Sequence, residues 1–248
     1  MAPVSPKTDV GPLRLTTTAA EQALARTDRP ALDRVLAFYR QNSDDGIRPR
    51  PTEMVERTHD NGALFIVERV ADGAILAAAG LFDFEDEATG EVLFEGGADL
   101  VTADANGLGL QRILGYARLL HWHLFQGSGI YGAIAPPNSA SLHNLERIGL
   151  VPGDLPDHLM AARADAFGIA AGLSGKVFLH LPEGAMAKLV VAMLREFGVG
   201  AEHFTPPVAP VTIEARRKRA TLQLEAPVFR ISGLADLLAG MVTSECGQ

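Results

Sequence analysis

Apolar positions along this chain switch between a period of two and a period of three to four, and the switches mark out its elements. Leu13-Arg14-Leu15 alternates briefly as a first strand, and residues 31–39 place Leu32, Val35, Leu36 and Tyr39 on one helical face, with Asp28 as a cap ahead of Pro30. Pro49-Arg50-Pro51 breaks that pattern, and Thr52 with residues 53–57 starts a second short helix. Residues 63–67 are apolar and β-rich, Asp72-Gly73 signals a hairpin turn, and residues 74–84 resume as a strand. The acidic stretch 85–90 turns the chain again, and residues 92–102 predict a third strand of an antiparallel series. Within it Gly96-Gly97 predicts a bulge, since glycine in a strand pattern marks an irregularity or a close backbone approach.

From there the pattern changes to a loop, Asn106-Gly107-Leu108-Gly109, and a helix with Leu110, Ile113, Leu114, Ala117, Leu120 and Leu124 toward the core. A short strand at 129–135 ends at Pro136-Pro137, Asn138 and Ser139 offer N-caps, and a helix at 141–148 stops at Gly149. Strand, helix, strand, helix in this order implies that the third and fourth strands pair in parallel through a right-handed crossover. Beyond Val151 the pattern predicts a helix at 157–167, a strand at 176–181 and an amphipathic helix at 183–197. After Pro206, Pro207 and Pro210 come short strands at 211–213, 221–224 and 228–231 and a last helix at 234–241. There is no internal repeat.

At 248 residues, 47% of them apolar, the chain can bury one large domain, or one domain with a small appendage. A formal charge of −8 gives nucleic acid no general reason to bind, and the run Arg216-Arg217-Lys218-Arg219 reads as surface. Cys246 is the only cysteine, which excludes an intrachain disulfide, a cysteine-based metal site and, from a polar tail, a thiol nucleophile; a reducing, cytoplasmic location is expected. No apolar stretch is long enough to span a membrane, and the first residues lack the charged and apolar parts of a signal peptide, so residues 1–12 are expected to be a flexible tail.

A strand, a glycine-containing loop and a helix opening near Leu110 form a natural anion site, because free N–H groups at a helix start point at a phosphate and the helix dipole favours it. A dinucleotide-binding fingerprint does not fit, since Arg112 stands at its third glycine and the preceding strands form a meander. Residues 101–114 instead resemble the acyl-CoA signature of the GNAT superfamily, a strand, a Gln/Arg-x-x-Gly-x-Gly/Ala loop and a long helix, with Gly109 on the first required glycine. Asn138, Ser141, Arg147, Gly149 and Leu150 are similar to the family's later pattern. The resemblance implies an α/β (α+β) fold: a mixed, mostly antiparallel central sheet flanked by helices over residues 13–182, with residues 183–248 as an extension or small subdomain. It implies acyl-CoA as co-substrate, held by Leu100, Val101, Asn106, Gly107, Leu108, Gly109, Leu110, Gln111, Arg112, Asn138 and Ser141, with no metal. It further implies that backbone N–H groups around residues 99–101 polarise the thioester carbonyl. The sequence departs from the family at Asn106, where Gln or Arg is usual, at Gln111, where Gly or Ala is usual, and at Leu145, where the usual acid is Tyr. A second frame, Asp104-x-x-Gly107-x-Gly109, restores both glycines but shortens the spacing from the strand and puts an acid near the phosphates.

A general base for amine attack is expected on the strand before the loop. Glu95 and Asp99, four apart, share a face unless the Gly96-Gly97 bulge shifts the register; Glu95 ranks slightly ahead, with two solvent-facing carboxylates as the alternative. His121 and His123, two apart on a helix, do not make a metal pair, and His143, Asn144 and Tyr131 are candidates for the missing acid. Three functions follow: an N-acyltransferase moving an acyl group, taken as acetyl, to an amine of a small molecule or peptide; a non-catalytic binding or assembly module; or an enzyme for longer acyl donors, for which Ala77, Ala78 and Ala79 leave room unless they simply pack a helix. Residues after 183 are candidates for an acceptor-site cover or a homodimer contact, and the acidic stretch 83–91 is a weak pointer to a cationic acceptor.

Overall fold

In the computed structural model, the structure describes residues 7–18, 30–43, 50–126, 129–136, 139–170, 172–197, 210–215 and 217–224. The strands are β1 (Thr8–Thr17), β2 (Leu64–Arg69), β3 (Ile75–Asp86), β4 (Glu91–Val101), β5 (Ile130–Ala135), β6 (Val151–Gly153), β7 (Val177–His180), β8 (Val211–Glu214) and β9 (Lys218–Leu224). The α-helices are α1 (Pro30–Asn42), α2 (Thr52–Asp60), α3 (Leu110–His121), α4 (Ala140–Arg147), α5 (Asp157–Ala166) and α6 (Met186–Phe197). A π-helical turn at Trp122–Gln126 continues α3. All strands join one sheet in the order β6-β7-β5-β4-β3-β2-β1-β9-β8, parallel only at β4/β5 and β1/β9.

Why β2 and β3 stand near the centre follows from their composition: nearly every side chain is buried, on both faces, so neither strand shows clean alternation. One face packs Phe65, Val67, Ala77 and Ala79 under α3, α4 and α6, through Leu114, Ala117, Leu145, Leu189 and Met193. The other packs Ile66, Ala78, Phe82 and Leu93 under α1, α2 and α5, through Val35, Met54, Val55 and Leu159. The alanine run 77–79 is thus packed from both sides, as close packing of helices against the sheet requires.

The mixed, mostly antiparallel sheet and its flanking helices agree with the expected fold class. Three details differ. β1 begins at Thr8, inside the stretch read as a tail, because Thr8 and Asp9 pair with Lys218 and Arg219 of β9. Strand β9 lies parallel to β1, and α6 supplies Leu189, Val190 and Met193 to the core, so residues beyond 183 complete the same sheet and one of its faces. Helix α3 ends at His121, three residues short of Leu124, and a π turn follows from Trp122. The expected strand at 228–231, the helix at 234–241, Asp28 and Cys246 lie outside the described residues.

His121 closes α3 as a core residue, 3% exposed, with its ring edge-on to Phe65 and 4.8 Å from Phe125. Burial lowers its pKa to about 4, and neither ring nitrogen has a hydrogen-bond partner among the described residues. It binds a proton less readily folded than unfolded, so its contribution to stability is complete above its unfolded pKa, about 6.5, and drains as pH falls toward about 4. Urea titrations across that window should show a loss of up to about 3 kcal/mol, and His121→Phe should flatten the slope. A slope identical in both proteins would place the acid sensitivity elsewhere.

Candidate active site

The parallel pairing of β4 with β5 runs from Leu93↔Ile130 to Gly96↔Ala133 and stops. β5 goes on pairing with β7 through Ala135, and β4 goes on pairing with β3 through Val101, so the facing edges of the two strands separate beyond Gly96. The opening lies at the C-terminal ends of two parallel strands, beside the loop that starts α3. A bulge accompanies it: Gly97 pairs with Gly80 and Leu100 with Ala78, so Ala98 and Asp99 together stand opposite Ala79. Ala98 takes the strain, with φ +53°. Gly96 and Gly97 keep negative φ and are needed for space. A Cβ at Gly96 would sit 2.3 Å from Tyr131 Oη, and one at Gly97 would sit 2.7 Å from Arg50 Nη2 on the opposite face.

The extra residue turns Glu95 and Asp99 to opposite sides of the sheet, which corrects the expectation that they share a face. Asp99 faces α3, where Arg118, 0% exposed, donates from Nη1 to Oδ1 at 2.5 Å and from Nη2 to Oδ2 at 3.0 Å. Arg118 Nη1 also lies 3.4 Å from the carbonyl oxygens of Gly80 and Gly97, which pair with each other where the bulge begins. Burial pushes the Asp99 carboxyl above the ordinary range against the pull of Arg118.

Glu95 faces α5 and is 1% exposed. Arg50 Nη2 donates to its Oε1 at 2.7 Å; Arg163 donates to Oε1 from Nη2 at 3.1 Å and to Oε2 from Nε. Burial raises its pKa, but the two guanidinium groups outweigh that and hold it below the usual value. Two cations hold this carboxylate ionised, which makes it a poor proton acceptor, and neither it nor Asp99 is a solvent-facing strand residue.

In the loop, Ala105 N and Asn106 N donate to Thr102 O, Leu108 N to Ala105 O, and Arg112 N and Ile113 N to Gly109 O. Gly107 and Gly109 have φ +87° and +78°, and Gly109 is the N-cap of α3. Among the described residues, the N–H groups of Gly107, Gly109, Leu110 and Gln111 have no backbone acceptor. Ala105, Leu108 and Leu110 are buried and anchor the loop, Asn106 is exposed, and Arg112 folds back so that its Nη2 would lie 3.2 Å from a Cβ at Gly109. Gln111, the long residue in place of a small one, turns toward α4: its Nε2 donates to Ser141 Oγ at 3.2 Å and its Oε1 accepts from Asn144 Nδ2 at 2.7 Å. Its side chain also lies close enough to the Asp99 carboxyl to favour the ionised form.

Leu100 and Val101 lie on the part of β4 beyond the separation from β5, and Asn138 lies outside the described residues. Leu145 is a core residue, and His143 points to solvent. Tyr131 is buried beside Gly96 with its hydroxyl unpartnered among the described residues, its pKa raised to about 12 by burial. Arg50, Arg118, Arg163 and the buried hydroxyl of Tyr39 were not singled out from sequence. Arg118 had a readable signal, a charge on the apolar face of α3 between Leu114 and His121. Arg50 and Arg163 had none, since only the fold brings them to Glu95. No group of His, Cys, Asp and Glu suited to a metal ion occurs among the described residues, and no helix there is long and apolar enough to cross a membrane.

No family model and no curated protein matches the sequence. Among solved structures, the chain is similar to one in the NatC complex bound to Gag peptide and CoA, at 10% identity over 69% of this chain and 98% of that one, TM-score 0.48. It is similar to the ribosomal-protein-S18-alanine N-acetyltransferase of Escherichia coli, at 12% identity over 68% and 93%, TM-score 0.43. It is also similar to a spermidine N-acetyltransferase of Vibrio cholerae, at 13% identity over 70% and 95%, TM-score 0.44.

Removing Asp99 leaves a buried, uncompensated guanidinium. Asp99→Ala should cost about 3–5 kcal/mol in denaturant unfolding, and Asp99→Leu with Arg118→Met should recover most of it. Glu95 behaves differently with pH: its stabilisation is present above its unfolded pKa and lost as pH falls through the lower folded one. The stability gap between wild type and Glu95→Gln should therefore hold at neutral pH and narrow below about pH 4.5. Additive losses in the double variant, or a pH-independent gap, would contradict these assignments.

Proposed function

We propose that this chain is a GNAT-type N-acyltransferase that moves an acetyl group from acetyl-CoA to an amine by direct attack. The observation that supports it most is the separation of β4 from β5 at Gly96 and Ala133, next to a loop with several N–H groups left over at a helix N-terminus. Phosphate oxygens suit the N–H groups of Gly107, Gly109, Leu110 and Gln111, aided by the dipole of α3 and by Arg112. The pantetheine arm suits the opened edge of β4 at Leu100 and Val101, as a peptide-like chain adding to an unpaired strand edge.

In this reading, Asp99 is the base, because its raised proton affinity moves it toward the working range that Glu95 leaves. It takes a proton from the amine, the nitrogen forms its bond to the thioester carbon, and backbone N–H groups around residues 99–101 hold the oxyanion. The C–S bond then breaks with the electron pair on sulfur, where the Tyr131 hydroxyl offers a hydrogen bond and water supplies the proton. Gln111, held by Ser141 and Asn144, lies beside Asp99 and favours its ionised form. The second reading, a non-catalytic binding module, rests on Leu145, which fills the core where the usual acid would stand.

Thermal unfolding with acetyl-CoA separates binding from its absence: at a ligand concentration of about 100 Kd the folded state should gain about 2.7 kcal/mol. Gly107→Val, strained at φ +87° in otherwise open space, should shrink that gain. Stabilisation without release of free CoA thiol across an amine panel would favour the binding module, and no stabilisation at millimolar ligand would overturn both readings.

A further inference from the structure

Glu95 sits between two cations, and the surplus positive charge has a definite place. Arg163 engages both carboxylate oxygens of Glu95 and is nearly buried, 8% exposed at its side chain. That bidentate pair is neutral by itself. Arg50 adds a second guanidinium through a single hydrogen bond from Nη2, and its side chain is 15% exposed. Among the described residues its Nε and Nη1 have no hydrogen-bond partner, and neither is one of the fully buried unpartnered atoms. The guanidinium lies 4.2 Å from the ring centre of Phe167 and 5.2 Å from that of Phe82, which fixes its plane. A net charge of −8 over the whole chain makes this local excess a specific feature rather than a general one.

Its place in the sheet matters as much. Gly97, the first β4 residue beyond the parallel pairing, lacks a side chain where Arg50 Nη2 approaches its backbone. Arg50 therefore stands at the β4/β5 opening on the face of α1, α2 and α5, opposite α3. A donor anchored at the start of α3 leaves the β4/β5 opening, which joins the two faces, for the acceptor, with its amine toward Asp99 and its remainder toward Arg50. In the acidic hairpin Asp83 is paired with Arg57, Glu91 with His158, and Asp86 holds its own turn.

We infer that Arg50 is a specificity-determining residue that binds an anionic group of the acceptor, and that the acceptor is an amine carrying a carboxylate. The bidentate edges of a guanidinium are Nε with Nη2 and Nη1 with Nη2, and because the bond to Glu95 takes one of the two Nη2 hydrogens, one edge remains to pair with a carboxylate. The inference rests on the transferase reading for the word acceptor, but the anion site itself does not.

The test is calorimetric titration of the full chain, with and without CoA, using pairs that differ by one carboxylate: phenylalanine and phenethylamine, tryptophan and tryptamine, arginine and agmatine. Phosphoethanolamine tests phosphate as the anion. The carboxylate member of at least one pair should bind about tenfold or more tightly than its partner, Arg50→Gln should abolish that ratio, and Arg50→Lys should keep part of it. The ratio is read within each protein, so general destabilisation of a variant does not produce the result. Equal binding of all pairs by wild type, an unchanged ratio in Arg50→Gln, or preference for phosphoethanolamine alone would overturn the inference. Stabilisation by acetyl-CoA without carboxylate discrimination sinks this inference and spares the transferase; discrimination without any response to acetyl-CoA does the reverse.

Discussion

The buried pair of Arg118 and Asp99 is the interaction on which the rest of the site depends. A strand that leaves one neighbour and bulges against the other strands polar backbone groups in the protein interior, at a cost that must be met locally. Arg118 meets it with one planar group: it neutralises Asp99 and lies against the carbonyls of Gly80 and Gly97, the pair at which the bulge begins. Because Arg118 belongs to α3, the same residue ties the helix that follows the loop to the strand that precedes it. Loop, helix start and opened strand edge are thereby fixed relative to one another.

The bulge also divides the chemistry between two faces. On the α3 side lie Asp99, Gln111 and Tyr131, a carboxylate with raised proton affinity among groups that orient it. On the α5 side lie Glu95, Arg50 and Arg163, where the carboxylate is held ionised and positive charge is left over. Two carboxylates four residues apart thus acquire opposite tendencies from environment alone. The adjacent glycines allow this, since Gly96 admits Tyr131 from one side and Gly97 admits Arg50 from the other.

Much of this architecture was legible in the sequence because it is local. The meander of β2, β3 and β4, the helix α3 and the parallel return of β5 follow from hydrophobic period and turn chemistry. The glycine pair correctly marked an irregular strand. Whether Glu95 and Asp99 share a face was not legible, since the period-two argument holds only for an unbroken ladder and the bulge falls between them. The pairing of β1 with β9 joins residues some two hundred positions apart and leaves no local trace. Gln111 looked like a residue that would crowd the loop; its partners, Ser141 and Asn144, lie on another helix and turn it aside.

In the proposed reading, the opened edge of β4 and the first turn of α3 together form the donor site. Residue-resolved amide hydrogen exchange with and without acetyl-CoA tests this most directly, because exchange reports which N–H groups the ligand covers. The account predicts new protection at residues 97–101 and 107–111, with little change in β8 and β9. Protection confined to other segments, or none in these two at saturating ligand, would contradict it.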